Sequence, residues 1–304
     1  METLLVTGVA GFIGSHVANH LQKKGHKIYG VDDLSSGKIE NIPKEIEFIE
    51  LNLASKNIEN KLPKKIDKVI HLAGQSSGEI SFENPVDDLY KNTISSLNLI
   101  DFSLNKDVKR FVYASSMSVY GEVSSNPAKE DSELQPSSCY GVGKLASEKY
   151  LEVYKNHLPM VILRIFNVYG PGQDMENLKQ GMISIYLSQA LNTNSIEIKG
   201  SLERFRDFIH IDDVVKAISI ILEEKDALNN IFNIGTGIKT TVRELISMIE
   251  VNFNNLKVSE SSSTPGDQFG IYADINKMKR ILNFSPEITL EDGLKSFIDW
   301  SRDK

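Results

Sequence analysis

The sequence predicts an α/β fold: a doubly wound parallel sheet of the Rossmann type with a smaller mixed C-terminal lobe. In the first half of the chain, short β-branched apolar runs alternate with amphipathic stretches, which is the pattern of a parallel sheet with helices on both faces. A glycine-rich turn follows the first apolar run. After Arg164 the alternation becomes irregular, which indicates a second, smaller unit.

Six short apolar runs are predicted as strands of the sheet, and helical periodicity fills the gaps between them. The strands are expected at residues 4–7, 27–31, 46–50, 68–72, 110–114 and 160–164. The clearest helices are expected at residues 13–24, 85–104 and 138–155. With right-handed crossovers, six such strands form a doubly wound sheet.

The C-terminal half has shorter elements. Residues 167–174 contain two glycines and one proline and are predicted as a loop. Further helices are expected at 181–191, 209–224, 276–282 and 290–302, strands at 195–199 and 230–234, and a polar stretch at 259–267. We therefore divide the chain into a nucleotide-binding domain, residues 1–166, which also receives part of 207–234, and a mainly substrate-binding lobe, residues 167–304.

Composition narrows the class of protein. The 304 residues include 34 Lys and Arg against 41 Asp and Glu, a net charge of −7, so no general attraction to nucleic acid or anionic lipid is expected. No apolar run approaches the ~18–20 residues of a membrane span. The start of the chain has no basic segment or cleavage site, so a cytoplasmic protein is expected. The one cysteine, Cys139, excludes a disulfide framework within the chain, and we predict no metal site.

A glycine-rich turn joins the first strand to the first helix. Its glycines are Gly8, Gly11 and Gly14, in the spacing G-x-x-G-x-x-G. Glycine at these places allows a tight turn, a close approach of backbone to a pyrophosphate and close helix–strand packing, while the helix N-terminus faces the diphosphate. Alone, such a triplet is equally typical of an ordinary turn.

Asp32 decides in favour of a dinucleotide. It lies 18 residues after Gly14 at the end of the second strand, close to the ~20 residues expected for the acid that binds an adenosine ribose. A carboxylate there accepts hydrogen bonds from both ribose hydroxyls and repels a 2′-phosphate. The residues from Asp33 to Gly37 include no arginine, so NAD is favoured over NADP as the cofactor.

Three polar side chains predict redox chemistry on a hydroxyl. Tyr140 and Lys144 share one face of a helix, and Ser116 follows the fifth strand at the ligand-binding edge of the sheet. A close ammonium and a positive nicotinamide ring could each lower the pKa of a tyrosine by ~1–3 units. The phenolate would then take a proton from a sugar hydroxyl that Ser116 orients. A Tyr-x-x-x-Lys pair by itself is common on helix surfaces.

The chain resembles the extended short-chain dehydrogenases/reductases, within the nucleotide-sugar epimerase/dehydratase family, from Leu4 to Trp300. The resemblance is carried by residues 7–14, 31–34, 71–74, 115–121, 140–144, 164–171, 206–213 and 233–237. It implies that Ser116, Tyr140 and Lys144 are catalytic. It also implies contacts with NAD from Gly8, Gly11, Phe12, Ile13, Gly14, Asp32, Asp33, Leu53, Leu72, Ala73, Asn92, Ser115, Tyr140 and Lys144.

The residues after Ser116 separate the reactions of this family. Family 4,6-dehydratases have Asp-Glu there and sugar-acid decarboxylases have a glutamate, whereas this chain has Met117 and Ser118. This favours a nucleotide-sugar 4-epimerase that oxidises carbon 4 and reduces it again. The alternatives are a 4-keto-sugar reductase or dehydrogenase and, in another class, a non-catalytic dinucleotide sensor or scaffold, which the intact Ser-Tyr-Lys set disfavours.

For the substrate, the resemblance implies that Asn167 and Arg206 hold the diphosphate of a nucleotide sugar, with uridine diphosphate as the commonest carrier. Asp267 belongs to a Gly-Asp pair that many 4-epimerases precede with an arginine, where this chain has Thr264. Ile271 stands where the family gates carbon-2 substituents. Ser77, in a loop after the fourth strand, is expected to contact the sugar or the nicotinamide ribose.

Two further expectations concern the surroundings of the site. His71 and His210 are expected to be structural rather than metal ligands. Helices 85–104 and 138–155 have more apolar residues than sheet packing needs. By resemblance, they would form a four-helix interface with a second copy, so a homodimer is expected.

Overall fold

The computed structural model describes residues 1–123, 125, 127–262 and 268–303. The strands in these residues are β1 (Thr3–Thr7), β2 (Lys27–Asp32), β3 (Glu47–Glu50), β4 (Lys68–His71), β5 (Arg110–Ser116), β6 (Met160–Ile165), β7 (Asn167–Tyr169), β8 (Ser195–Lys199), β9 (Phe205–Arg206), β10 (Phe208–His210), β11 (Asn230–Ile234), β12 (Thr240–Thr241) and β13 (Lys257–Ser261). The α-helices are α1 (Phe12–Lys23), α2 (Gly78–Glu83), α3 (Pro85–Leu89), α4 (Ser95–Leu104), α5 (Cys139–Tyr154), α6 (Met182–Thr193), α7 (Ile211–Glu223), α8 (Val242–Glu250), α9 (Asn276–Leu282) and α10 (Leu290–Arg302).

The main sheet has seven parallel strands in the order β11-β6-β5-β4-β1-β2-β3. The chain runs outward from β1 to β3, returns beside β1 as β4, and then runs outward in the other direction. This reversal between β1 and β4 opens a crevice at the carboxyl ends of the strands, where ligands bind in such sheets. The predicted fold class is confirmed.

Both faces of the sheet are covered, as the alternation of side chains requires. On β1, Leu4 and Val6 pack with residues of α1 and α7, whereas Leu5 points to the opposite face and packs with residues of α4 and α5. A third apolar cluster joins α6, α8 and α10 to β8 in the C-terminal part. No helix in the described ranges is both long enough and apolar enough to cross a membrane.

The predicted elements of the C-terminal half need three corrections. Residues 167–169, predicted as loop, form β7, which pairs with β10. The helix predicted at 209–224 begins at Ile211, because Ile209 and His210 belong to β10 and His210 caps the helix. The polar stretch predicted from 259 is strand β13 as far as Ser261. Each of these strands is stabilised by a distant partner strand that no local pattern reveals.

Two elements extend the prediction. The sequence predicts a strand at residues 230–234 but six strands in the main sheet. In the structure this strand, β11, pairs with β6 and is the seventh. The prediction lacks helix α8, although the chain carries a capping box for it. The Thr241 side chain accepts from the backbone N–H of Glu244, and the Glu244 side chain accepts from the backbone N–H of Thr241. A Thr-x-x-Glu pattern before an apolar run is a helix-start signal.

Candidate active site

The glycine turn between β1 and α1 leaves its backbone open to the crevice. Gly8 has a φ of +72°, and a side chain there would come within 2.9 Å of the backbone of Leu72 and Ala73. A side chain at Gly14 would overlap the carbonyl oxygen of Gly8. Because only glycine fits, the first turn of α1 can present its unpaired N–H groups to an anion.

Asp32 lies at the end of β2 and fixes the neighbouring loops. Its carboxylate accepts hydrogen bonds from the backbone N–H groups of Ala10 (3.0 Å) and Leu34 (2.9 Å). Burial raises the pKa of Asp32, although these hydrogen bonds oppose the shift. Each carboxylate oxygen has a second acceptor position, so the side chain can still accept from a sugar hydroxyl.

A cavity of about 590 Å³ runs along the carboxyl edge of the sheet, within the size range of small-molecule sites. Most of the predicted site residues lie on its wall. They are Gly8, Gly11, Phe12, Ile13, Gly14, Asp32, Asp33, Leu53, Leu72, Ala73, Ser115, Ser116, Tyr140, Lys144 and Asn167. The glycine cradle, the acid at the end of β2 and the volume of the cavity fit a dinucleotide such as NAD.

Helix α5 brings Tyr140 and Lys144 to this cavity. The side chain of Ser138 caps the helix by accepting from the N–H of Gly141 at 3.1 Å. One turn separates the two side chains, which are 8% and 4% exposed. Lys144 Nζ donates to the carbonyl oxygen of Ala114 at 2.9 Å and lies 5.9 Å from the centre of the Tyr140 ring.

Ser116 completes the group at the end of β5. Its hydroxyl donates to Ser118 Oγ at 3.2 Å and lies near enough to Tyr140 to oppose the rise of the tyrosine pKa. The structure therefore brings the three predicted reactive side chains together at the middle of the cavity wall.

Burial dominates the electrostatics of these groups. It raises the pKa of Tyr140 to about 12, with the negative charge of Asp88 adding to the shift and the hydrogen bond from Ser116 opposing it. Burial lowers the pKa of Lys144 to about 8, while the carboxylates of Asp88 and Glu148 oppose that shift. In the protein's own groups, burial therefore outweighs any lowering of the Tyr140 pKa. The expected lowering by the lysine ammonium together with a bound nicotinamide ring remains a prediction.

Asn92 is predicted to contact NAD but does not lie on the cavity wall. It occupies a π-helical turn, Tyr90–Ile94, between α3 and α4, where the sequence predicts one continuous helix. Its amide nitrogen donates to Asp88 Oδ1 at 3.0 Å, and its buried Oδ1 has no hydrogen-bond partner among the described residues. A π-helical turn often marks a functional site.

An ion pair behind the site was not predicted. Glu148, one turn after Lys144, pairs with Arg164 of β6 at 2.8 Å, and both side chains are almost completely buried. Ser115, next to Ser116, donates to the same carboxylate. The pair therefore fixes α5 against β5 and β6. The Tyr-x-x-x-Lys-x-x-x-Glu spacing, which continues one helix face, is the signal that could have indicated it.

The structure does not bring Ser77 or Ile271 to the cavity wall. The Ser77 hydroxyl caps α2 by accepting from the N–H of Ile80 and donates to the carbonyl of Lys179 at 2.8 Å. Its neighbour Ser76 lies on the wall instead. Ile271 is completely buried in the apolar core, because the chain pairs there with distant segments that sequence spacing does not show.

Arg206 is buried and does not lie on the cavity wall. Its guanidinium donates to the carbonyl oxygens of Phe205 (2.8 Å), Phe269 (3.3 Å) and Gln268 (2.8 Å). Burial lowers its pKa to about 10, so it remains charged at neutral pH. Asp267 and Thr264 lie outside the described residues.

The two predicted structural histidines are both buried, and each has a hydrogen-bonding neighbour. His71 lies between Thr7 Oγ1 (2.7 Å) and Ser96 Oγ (3.0 Å), and burial lowers its pKa to about 3. His210 accepts from the N–H of Asp212 at the start of α7.

A segment of the C-terminal half, residues 172–181, crosses the cavity and contacts both of its rims. We call it the bridging segment. On one rim, Lys38 Nζ lies 2.7 Å from Glu176 and 3.4 Å from Asp174. On the other, Gln180 donates to Ser76 Oγ at 2.6 Å.

Comparisons with known proteins agree with this geometry. Residues 4–235 match the NAD dependent epimerase/dehydratase family. The chain is 31% identical to the UDP-glucose 4-epimerase of Mycolicibacterium smegmatis over 317 residues, which cover 99% of this chain and 98% of the relative.

Two solved structures are similar over nearly the whole chain. One is the UDP-glucose 4-epimerase of Thermotoga maritima with UDP-glucose, at 35% identity and a TM-score of 0.92, covering 99% of both chains. The other is the UDP-glucose 4-epimerase of Thermus thermophilus in complex with NAD, at 31% identity and a TM-score of 0.90, also covering 99% of both. The chain therefore belongs to the NAD dependent epimerase/dehydratase family and is an enzyme with NAD as its cofactor.

Proposed function

We propose that the chain is a nucleotide-sugar 4-epimerase acting on UDP-sugars through transient oxidation at carbon 4. The observation that carries the proposal is the Ser116, Tyr140 and Lys144 group with Met117 and Ser118 in the turn that follows. Neither Met117 nor Ser118 serves as an acid or base at neutral pH, so this turn offers nothing for elimination of water. The names of the three similar proteins support uridine diphosphate as the carrier.

In the proposed reaction, Tyr140 takes the proton of the sugar 4-hydroxyl as the hydride leaves carbon 4. Ser116, which lies with Tyr140 on the cavity wall, orients the same hydroxyl. Lys144, a buried ammonium 5.9 Å from the tyrosine ring, stabilises the phenolate. When bound, NAD supplies the ring that accepts and returns the hydride, and its positive charge also favours the phenolate.

The second half reverses the first on the other face of the sugar. After the 4-keto sugar has rotated, the hydride returns to carbon 4 and Tyr140 returns the proton to the oxygen. The product is the carbon-4 epimer, and no net oxidation occurs. NAD is therefore expected to stay bound between turnovers.

For the nucleotide sugar, we propose that residues 1–166 hold NAD and residues 167–304 mainly the substrate. Asn167 lies on the cavity wall next to Met117, which supports it as a substrate ligand. Arg206 is buried and charged, and Phe208, two residues along the chain, lies on the cavity wall, which supports a role at the diphosphate. Asp267 remains proposed from the family resemblance alone.

We also propose a homodimer formed by α2, α3 and α5. These neighbouring helices expose large apolar side chains, which on a monomer's surface mark an interface. They are Phe82, Val86, Leu89, Val142, Tyr150 and Val153, together with Tyr90 of the π-helical turn that follows α3, each 43–73% exposed. Val153→Glu should halve the mass measured by light scattering. Val251→Glu, on an exposed apolar side chain outside this group, should leave it unchanged; equal masses for all three proteins would contradict the interface.

The reaction is tested on the purified protein without added cofactor. UDP-glucose, UDP-galactose and their N-acetyl forms are incubated with it, and products are identified by NMR. We expect carbon-4 epimers, and released NAD in the ultraviolet spectrum after denaturation. Oxidation of these sugars that depends on added NAD⁺ and releases NADH would instead identify a dehydrogenase, the reverse direction of a 4-keto-sugar reductase, and loss of water from the sugar would identify a dehydratase.

A further inference from the structure

A buried carboxylate next to the reactive group has no part in the reaction described so far. Asp88, on α3, is only 2% exposed. Its Oδ1 accepts from Gln75 Nε2 at 2.8 Å and from Asn92 Nδ2 at 3.0 Å. Its Oδ2 faces α5, where a side chain at Gly143 would place Cβ 3.3 Å away. Asp88 therefore packs against the helix that carries Tyr140 and Lys144.

Because an ionised carboxylate only accepts hydrogen bonds, Asp88 sets the orientation of both amides. The NH₂ group of Asn92 is used on Asp88, so its Oδ1 points away, towards Gly74. Lys144 Nζ also faces Gly74, 3.4 Å from the position a Cβ would take there. The acceptor of Asn92 and the ammonium of Lys144 thus meet at one glycine on the cavity wall.

The charged groups around Asp88 also connect it with Lys144. Lys144 on α5 is the cation that acts on it, and Asp87 on its own helix is the nearby anion. Burial lowers the pKa of Lys144, and the carboxylates of Asp88 and Glu148 raise it. The charge of Lys144 adds to the effect of burial in lowering the pKa of His71 on β4. Tyr140 and the buried Tyr113 complete the surroundings.

We propose that Asp88 is a positioning residue of this active site, whose carboxylate orients the amides of Gln75 and Asn92 and places a negative charge near Lys144 and Tyr140. The reaction that Asp88 serves rests on the proposed function, but its hydrogen bonds to Gln75 and Asn92 do not. An uncharged residue of the same shape would retain the packing and lose the charge. Asp88→Asn separates the two.

The direct test is a titration of Lys144 in protein labelled with ¹³C at lysine Cε, with Lys144→Met to assign the signal. Asp88→Asn should lower the pKa of Lys144 from about 8 by about one unit, since removing a nearby anion disfavours the ammonium. Asp101→Asn, which removes an equal charge from the exposed face of α4, should leave it unchanged. An unchanged Lys144 pKa in Asp88→Asn would overturn the proposal.

The kinetic test is the pH profile of kcat/KM. The Asp88 charge raises the pKa values of both Tyr140 and Lys144, so Asp88→Asn should move both limbs to lower pH, and Asp88→Glu should restore them. A role limited to packing would lower the rate without moving either limb, which would refute the proposal.

The proposed function and the role of Asp88 can be refuted independently. If the wild type epimerises no nucleotide sugar, the proposed function falls while the lysine titration still decides on Asp88. If Asp88→Asn does not fold, Asp88→Ser, which keeps one acceptor and no charge, is titrated in the same way. An unshifted Lys144 pKa in that variant also contradicts the proposal.

Discussion

The two ends of the cavity differ in how their residues are held. At the dinucleotide end, the glycine turn and Asp32 lie within a few residues of a strand end in one β–α–β unit. At the substrate end, Asn167 reaches the wall, Arg206 is tied to three carbonyl oxygens behind it, and Ser77 caps a helix. The first end is built by local geometry, and the second by contacts between distant segments.

The largest effect is expected where the two ends meet. Tyr140→Phe removes the group proposed to move the proton, which should lower kcat by about 10²–10⁴-fold while the NAD content of the purified protein stays the same. Tyr154→Phe, on the last turn of the same helix, is the control. Turnover near the wild-type value in Tyr140→Phe would remove this residue from the chemistry.

The dinucleotide end is tested by Gly14→Ala. The added methyl overlaps the Gly8 carbonyl, so the turn must shift and lose N–H contacts to the diphosphate. Two lost charge-assisted hydrogen bonds at about 1.5 kcal/mol each would weaken NAD binding by about 10²-fold, measured by calorimetry. Gly25→Ala adds a strained side chain at a φ of +87° after the end of α1, outside the turn, and so controls for a general loss of stability. Equal NAD affinity for the wild type and Gly14→Ala would contradict the cradle.

The substrate end is tested by Arg206→Lys, which keeps the charge but not the fork of donors. Loss of a charge-assisted contact of about 1.5–3 kcal/mol should raise KM for the UDP-sugar by about 10- to 150-fold, with little change in NAD affinity. Arg243→Lys, an exposed arginine paired with Glu203, is the control. If KM is unchanged, Arg206 does not contact the diphosphate.

The smallest effect is expected at Ser77, where prediction and structure differ. Ser77→Ala removes a helix cap and should cost about 1 kcal/mol of unfolding free energy, measured by urea denaturation. KM should change less than for Ser76→Ala, because Ser76 faces the cavity. A larger KM effect at Ser77 would return it to the substrate site.

Sequence patterns predicted the sheet and the dinucleotide end well for a physical reason. A strand of the main sheet, its turn and the helix that follows are stabilised largely by their own residues, as with β1, Gly8 to Gly14 and α1. The predicted helix at 85–104 did form, but only the structure shows that a π-helical turn at Asn92 interrupts it.

The rest depended on partners far along the chain. Strands β7 and β10 exist because they pair with each other across 40 residues, and Ile271 is buried because the core closes over it. The raised pKa of Tyr140 in the protein's own groups could not be predicted for the same reason, since the sequence shows the neighbouring lysine but not the depth of burial.

The bridging segment has a consequence for how long a nucleotide stays in the cleft. Residues 172–181 contact both rims, through the exposed ion pairs of Lys38 with Asp174 and Glu176 and the hydrogen bond from Gln180 to Ser76. We expect release of a nucleotide to be faster when these contacts are weakened. Salt weakens only the first of these. Higher ionic strength should therefore speed the release of a nucleotide only in part, because the hydrogen bond between Gln180 and Ser76 remains.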